Sequence, residues 1–333
     1  MGIVIKPLTC ALGVAAIFYL TTPHSKASSE ANAGAGAPFS TLDIACDITY
    51  KDYNHSAGLN SRYRWTCAGG ERELSGNGVP DHSVGQFPNR SNPNTIKEQT
   101  ISASAPLAPE LSSSITRVGP GGAYVYALNS VKFDPATAGA CPTDAIEASD
   151  CNLARGYGPW RIEALGQDVF DFGEDMNKAH VQPTGEYHYH GVPEGILVNA
   201  GISETNRKML LVGWAGDGFP VYARYCYVDA MDPTSGVKVC KGSYTLDETP
   251  DNGRPSTEWV PLGAFTSDWN YTNGSGDLDV CNGRIGATPE FPDGIYYYMA
   301  TDSYPYFSRC IKGAFEASHS PHHSTRPFDK RRR

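Results

Sequence analysis

Apolar residues along this chain recur in short runs with a period of two. Helical spacing is scarce. SRYRWTC (61–67) alternates large and polar side chains, as a half-buried strand does. ISASAPL (101–107), AYVYALNSVKF (123–133), GWAGDGFPVYARYCYV (213–228) and GIYYYMAT (294–301) are β-branched or aromatic stretches bounded by Gly, Pro, Asn or Asp. They predict further strands. The best helical candidate is SETNRKMLLV (203–212). Residues 76–97 (GNGVPDHSVGQFPNRSNPNTIK) read as a long polar loop, a length that points to function or disorder. The expected fold is mostly β: one disulfide-stapled domain over 41–315, with long irregular loops and few short helices.

One strand candidate is unusual. PTGEYHYHG (183–191) places His188 and His190 on one face and Tyr187 and Tyr189 on the other. Glu186 shares the histidine face by the same alternation.

Composition agrees with the pattern. The chain has 35 Gly, 24 Pro and 19 Tyr in 333 residues, suited to many turns and short strands. Its hydrophobic content of 40% is enough for a packed core. Leu8–Leu20, preceded by Lys6, has the length of a secretory signal core, and residues 1–27 are expected to be a signal peptide. An uncleaved anchor is the alternative. Residues 28–40 read as a linker, and 316–333, ending KRRR, as a disordered tail. The mature chain is expected outside the cell or in the periplasm, with no membrane span. A net charge of −9 argues against nucleic-acid partners. An unidentified extracellular ligand or substrate is the expected partner.

Cys10 lies in the leader and eight cysteines remain, an even number suited to an exported disulfide framework. Pairing nearest neighbours gives Cys46–Cys67, Cys141–Cys151, Cys226–Cys240 and Cys281–Cys310; the sequence favours this set without proving it. No CxxC occurs, so a thiolate zinc site is not expected.

AHVQPTGEYHYHG, AGDGFPVYARY, LDVCNGR and PDGIYYYMATDSYPYFSRC occur in this order, with NGVPDH and YALNSVKFDP upstream. Together they resemble the YHYH domain family of exported proteins, over roughly residues 76 to 313. The resemblance implies a shared fold and leaves the activity open. Where the family often repeats Tyr-x-Tyr-His near the C-terminal end, this chain reads Tyr296-Tyr297-Tyr298-Met299, without a histidine.

The candidate chemistry is metal binding. His188 and His190 stand on one face about 7 Å apart along the strand, so both imidazoles can converge on one ion. His180 is the expected third ligand. His82 or Asp217 is expected to close or flank the site. All-nitrogen ligation favours zinc or copper. Glu186 and Asp217 are the candidate catalytic acid or base groups, and Glu174 and Asp175 also flank the histidines. Asp277 and Asp279, in NGSGDLD, are a candidate calcium loop. A Tyr/His pair would suit β-elimination of a uronate polysaccharide. Two functional classes therefore stand: an exported metalloprotein, with a metal-dependent enzyme on extracellular material as its sharper form, and a non-catalytic surface or matrix binding module with hydrogen-bonded structural histidines.

Overall fold

The computed structural model describes residues 39–119 and 124–314. The expected signal peptide, most of the linker and the tail lie outside the described residues.

Four strands form an antiparallel meander in the order β1 (Asp47–Asn54), β2 (Leu59–Ala68), β3 (Glu71–Gly76) and β4 (Ile101–Pro106). Next come β5 (Leu111–Arg117), β6 (Val125–Ala127) and β7 (Lys132–Phe133). Short strands β8 (Ala140–Cys141) and β9 (Trp160–Arg161) pair with each other. A hairpin of β10 (Ala179–Val181) and β11 (Tyr187–Tyr189) carries the Tyr/His motif. Helix α1 (Glu194–Asn199) precedes the hairpin of β12 (Leu211–Ala215) and β13 (Pro220–Ala223). Two ribbons follow, β14 (Tyr225–Tyr227) with β15 (Val237–Val239) and β16 (Tyr244–Leu246) with β17 (Trp269–Tyr271). The last strands are β18 (Gly283–Gly286), β19 (Ile295–Ala300) and β20 (Cys310–Gly313), and β20 pairs with β5.

The central sheet has eight strands in the order β10-β11-β7-β6-β12-β13-β19-β18. It is mixed: β11 runs parallel to β7, and β13 parallel to β19. Every residue of β12, β13 and β19 is buried, so both faces of the sheet are covered there. This explains why those strands read as unbroken apolar runs. At the bulge between Leu211 and Gly213 a Cβ on Gly213 would lie 2.4 Å from the Tyr126 carbonyl oxygen, which requires glycine. A second, smaller apolar cluster gathers Trp160, Ile162, Phe170, Phe172, Val260 and Phe265.

The mostly β expectation holds. The helical expectation for 203–212 does not. Ser203 to Asn206 form a turn, closed by mutual backbone hydrogen bonds, and Leu211 and Val212 begin β12. An apolar run such as MLLV fits a buried strand as well as a helix, and the place between β6 and β13 decides it. The one α-helix among the described residues lies earlier, at α1. All four disulfides are the sequence neighbours: Cys46–Cys67, Cys141–Cys151, Cys226–Cys240 and Cys281–Cys310.

Candidate metal centre

The β10–β11 hairpin turns on Gly185, at φ +89°, whose N–H donates to the Gln182 carbonyl. The register places His180 directly across from His188. His190 follows one step on, its N–H donating to the Lys178 carbonyl. The three rings form a nearly equilateral triangle, with centroids 4.5 Å (180–188), 4.7 Å (180–190) and 4.7 Å (188–190) apart. They stand edge to face, at 68–79°. One nitrogen from each ring lies within 4.8 Å of the other two.

The remaining ring nitrogens are held by the main chain. His180 Nδ1 is 3.1 Å from the Phe172 carbonyl oxygen, and His188 Nδ1 is 3.3 Å from that of Glu186. His190 hydrogen-bonds to the Asp134 backbone. Imidazoles that donate Nδ1–H to carbonyls turn their Nε2 lone pairs inwards. The Nε2 atoms of His180 and His190 are 3.1 Å apart. With Nδ1–H on both rings the two Nε2 lone pairs face each other and repel unless a cation lies between them; with Nε2–H on one ring the same distance is an ordinary N–H···N hydrogen bond. Nitrogens about 2.1 Å from one tetrahedral ion are roughly 3.4 Å apart, so the spacing suits an ion. Burial lowers the basicity of all three rings, His180 to about 4, and His188 and His190 well below their ordinary value, where their histidine neighbours add to the effect. Neutral imidazole is the ligating form.

A conserved-looking tetrapeptide alone would not identify the chain, but the family model described as "YHYH protein" matches residues 102–313. The chain belongs to the YHYH family. No curated protein and no solved structure matches it.

In this YHYH protein the other expected site residues are placed differently. His82 faces the opposite side of β11: its Nε2 accepts from Tyr189 Oη at 2.5 Å, and its Nδ1 is 3.0 Å from the Ser83 carbonyl oxygen. The 76–97 loop packs on the tyrosine face, where Phe87 meets Tyr187, so it cannot bring His82 to the cluster. Asp217 sits in the β12–β13 turn. β12 is three strands along the sheet from β11, on the order of 14 Å away. Its carboxylate accepts from Tyr298 Oη and from the Gly313 and Phe219 N–H groups, none of them part of the histidine cluster. Glu186 does lie beside the histidines, but its Oε2 is 3.1 Å from the buried Lys132 ammonium.

The calcium expectation at Asp277 and Asp279 also meets other partners. Asp277 accepts from Lys238 Nζ and the Lys241 N–H, and Asp279 from the Cys281 and Gly283 N–H groups and Tyr296 Oη. Protein donors fill the roles a calcium ion would take. Asp277 also lies near Cys226 and Cys240, but those cysteines form a disulfide and offer no thiolate.

Glu174 is the acid that reaches the cluster. Its Oε1 lies 3.7 Å from His180 Nδ1, and burial pushes its carboxyl up to about 7. It lines a cleft of about 540 Å³ with Leu165, Asp168, Asp171, Lys178 and Tyr306. Lys178 is paired with Asp302, which Arg224 also holds. Among the described residues no lysine or arginine pairs with Asp168, Asp171 or Glu174, so the cleft is acidic. Sequence reasoning missed Lys132. A lysine inside the apolar run Val131-Lys132-Phe133 was the available signal, because buried lysines are rare unless paired.

Proposed function

We propose that this YHYH protein is an exported metalloprotein in which His180, His188 and His190 hold one divalent transition ion, zinc or copper, and that it acts as a metal-dependent enzyme on extracellular material. The observation that carries this reading is the convergence of three buried imidazoles, with the His180 and His190 Nε2 atoms 3.1 Å apart, the His180 Nδ1 beside the Phe172 carbonyl and the His190 ring also hydrogen-bonded to the Asp134 backbone. Four disulfides suit an oxidising compartment. No helix among the described residues is long and apolar enough to cross a membrane.

Three protein ligands are the number that leaves a coordination position for water or substrate. A bound ion would supply a Lewis acid there. Glu174 lies on the Nδ1 side of His180, away from where the Nε2 atoms converge, and its carboxyl near 7 can take or give a proton to a group in the cleft at neutral pH. The acidic cleft favours neutral or amine-bearing substrates and opposes a uronate polyanion. That weighs against β-elimination of a uronate polymer. The tyrosines of the motif are also engaged elsewhere: Tyr187 Oη donates to Asp175 and Tyr189 Oη to His82.

Elemental analysis of the secreted protein, purified without a histidine tag, tests the reading. One equivalent of zinc or copper per chain is expected, lost from the His188→Ala/His190→Ala variant after dialysis against a weak chelator. A metal-free wild type, or equal metal in wild type and variant, would leave the histidines as structural groups of a binding module.

A further inference from the structure

Lys132 is the least expected residue near the histidines. It lies in β7, in parallel register with His188, and its side chain is only 1% exposed. Its ammonium sits 3.1 Å from Glu186 Oε2 and 3.4 Å from Asp134 Oδ2, and donates to Gln182 Oε1 at 3.1 Å. Gln182 closes the ring by donating to Asp134 Oδ2 at 3.0 Å. A buried ion pair of this kind is a poor source of net stability, because desolvation cancels most of the attraction. Its place in the fold calls for another account.

The two acids that Lys132 holds are the two residues whose main chains hold the ligand rings. Glu186 offers its carbonyl to His188 Nδ1, and the Asp134 backbone hydrogen-bonds to His190. Asp134 is tied to β11 a second time, its N–H donating to the Tyr189 carbonyl. One cation therefore clamps, through two carboxylates, both carbonyls that set the tautomer and the tilt of His188 and His190.

We infer that Lys132 is the positioning residue of the metal centre: by pinning Asp134 and Glu186 it fixes the two carbonyls that aim His188 and His190 at the ion. This rests on the metalloprotein reading above. Groups that orient a ligating histidine from outside the coordination sphere typically contribute 10–100-fold in metal affinity.

The test uses the full secreted chain, stripped of metal and titrated with cobalt(II), then with zinc or copper in competition with a chromogenic chelator. Lys132→Met is expected to weaken binding about 10–100-fold and to alter the cobalt d–d spectrum. Because Lys132→Met leaves two buried carboxylates without their cation and could fail to fold, a second variant removes all three charges together: Lys132→Met/Asp134→Asn/Glu186→Gln. It keeps the backbone carbonyls and leaves no unpaired charge, so it is expected to fold while still binding at least tenfold more weakly. A folded triple variant with wild-type affinity within twofold and an unchanged cobalt spectrum would show a merely structural ion pair and overturn the inference. Wild type that takes up no equivalent of cobalt, zinc or copper would overturn the metalloprotein reading itself, and this inference with it; the two failures are read from different samples.

Discussion

Replacing Asp217 by asparagine separates a structural from a catalytic role for this carboxylate, and the size of the effect depends on pH. Asp217 is fully buried and surrounded by donors: Tyr298 Oη and the Gly313 and Phe219 N–H groups. Burial pushes its carboxyl up to about 6, and the three donors offset only part of that. A move from the ordinary value near 4 to about 6 corresponds to about 3 kcal/mol of preference for the protonated form in the folded chain. Between these values the folded chain holds a proton that the unfolded chain has released. The stability from this group is therefore fully present below about pH 4 and is lost as pH rises through 6. Asparagine does not titrate. The stability gap between wild type and Asp217→Asn should thus be widest near pH 4 and narrower by about 3 kcal/mol at pH 7. Urea unfolding of both proteins at one-unit steps from pH 4 to pH 8 measures the gap directly. All other titrations cancel in the difference. A gap that is constant, or that widens with pH, would mean that the donors outweigh burial, and the reasoning would be wrong. Metal content should not change, since Asp217 lies on the order of 14 Å along the sheet from the histidines.

Two further outcomes follow from the geometry. Tyr189→Phe removes a hydroxyl that donates to His82 and accepts from Asn129, leaving two buried groups without their partner. It should cost about 2–4 kcal/mol in urea unfolding and leave metal content unchanged, because the ring lies on the opposite face of β11 from the histidine cluster; metal loss would contradict the two-sided strand. Cys281→Ser/Cys310→Ser opens a link spanning 29 residues and should cost about 3–4 kcal/mol, read as a lower urea midpoint, whereas an unchanged midpoint would show that β20 is held without it.

The grouping of His180, His188 and His190 was legible because the information is local. Period-two alternation put His188 and His190 on one face, and the short turn through Gly185 brought His180 opposite. The disulfides were legible for the same reason, each pair joining sequence neighbours. His82 and Asp217 were misplaced because no local pattern states which face a long loop covers, or how far along a sheet a turn lies. Lys132 was overlooked because its two acids, Asp134 and Glu186, meet it through a parallel strand pairing that no short-range rule announces. What decides against a helix at 203–212 likewise comes from elsewhere in the chain: β6 and β13 flank β12, which takes in Leu211 and Val212, and Gly213 just beyond must clear the Tyr126 carbonyl.

The three clustered histidines and the main-chain groups that hold their rings all lie between Lys132 and His190, in strands β7, β10 and β11 and the segments joining them. The rest of the sheet, from β12 to β19, supplies none of them. The β10–β11 hairpin needs only contacts of short sequence separation, which cost little chain entropy, while the parallel β7–β11 pairing closes a much longer loop that still lies wholly N-terminal to β12. A chain emerging N-terminus first thus completes its histidine triangle before the strands that will bury the far end of the sheet have arrived. On the metalloprotein reading, an ion bound there would act as a template for assembly, organising β7, β10 and β11 into an edge on which the later strands add.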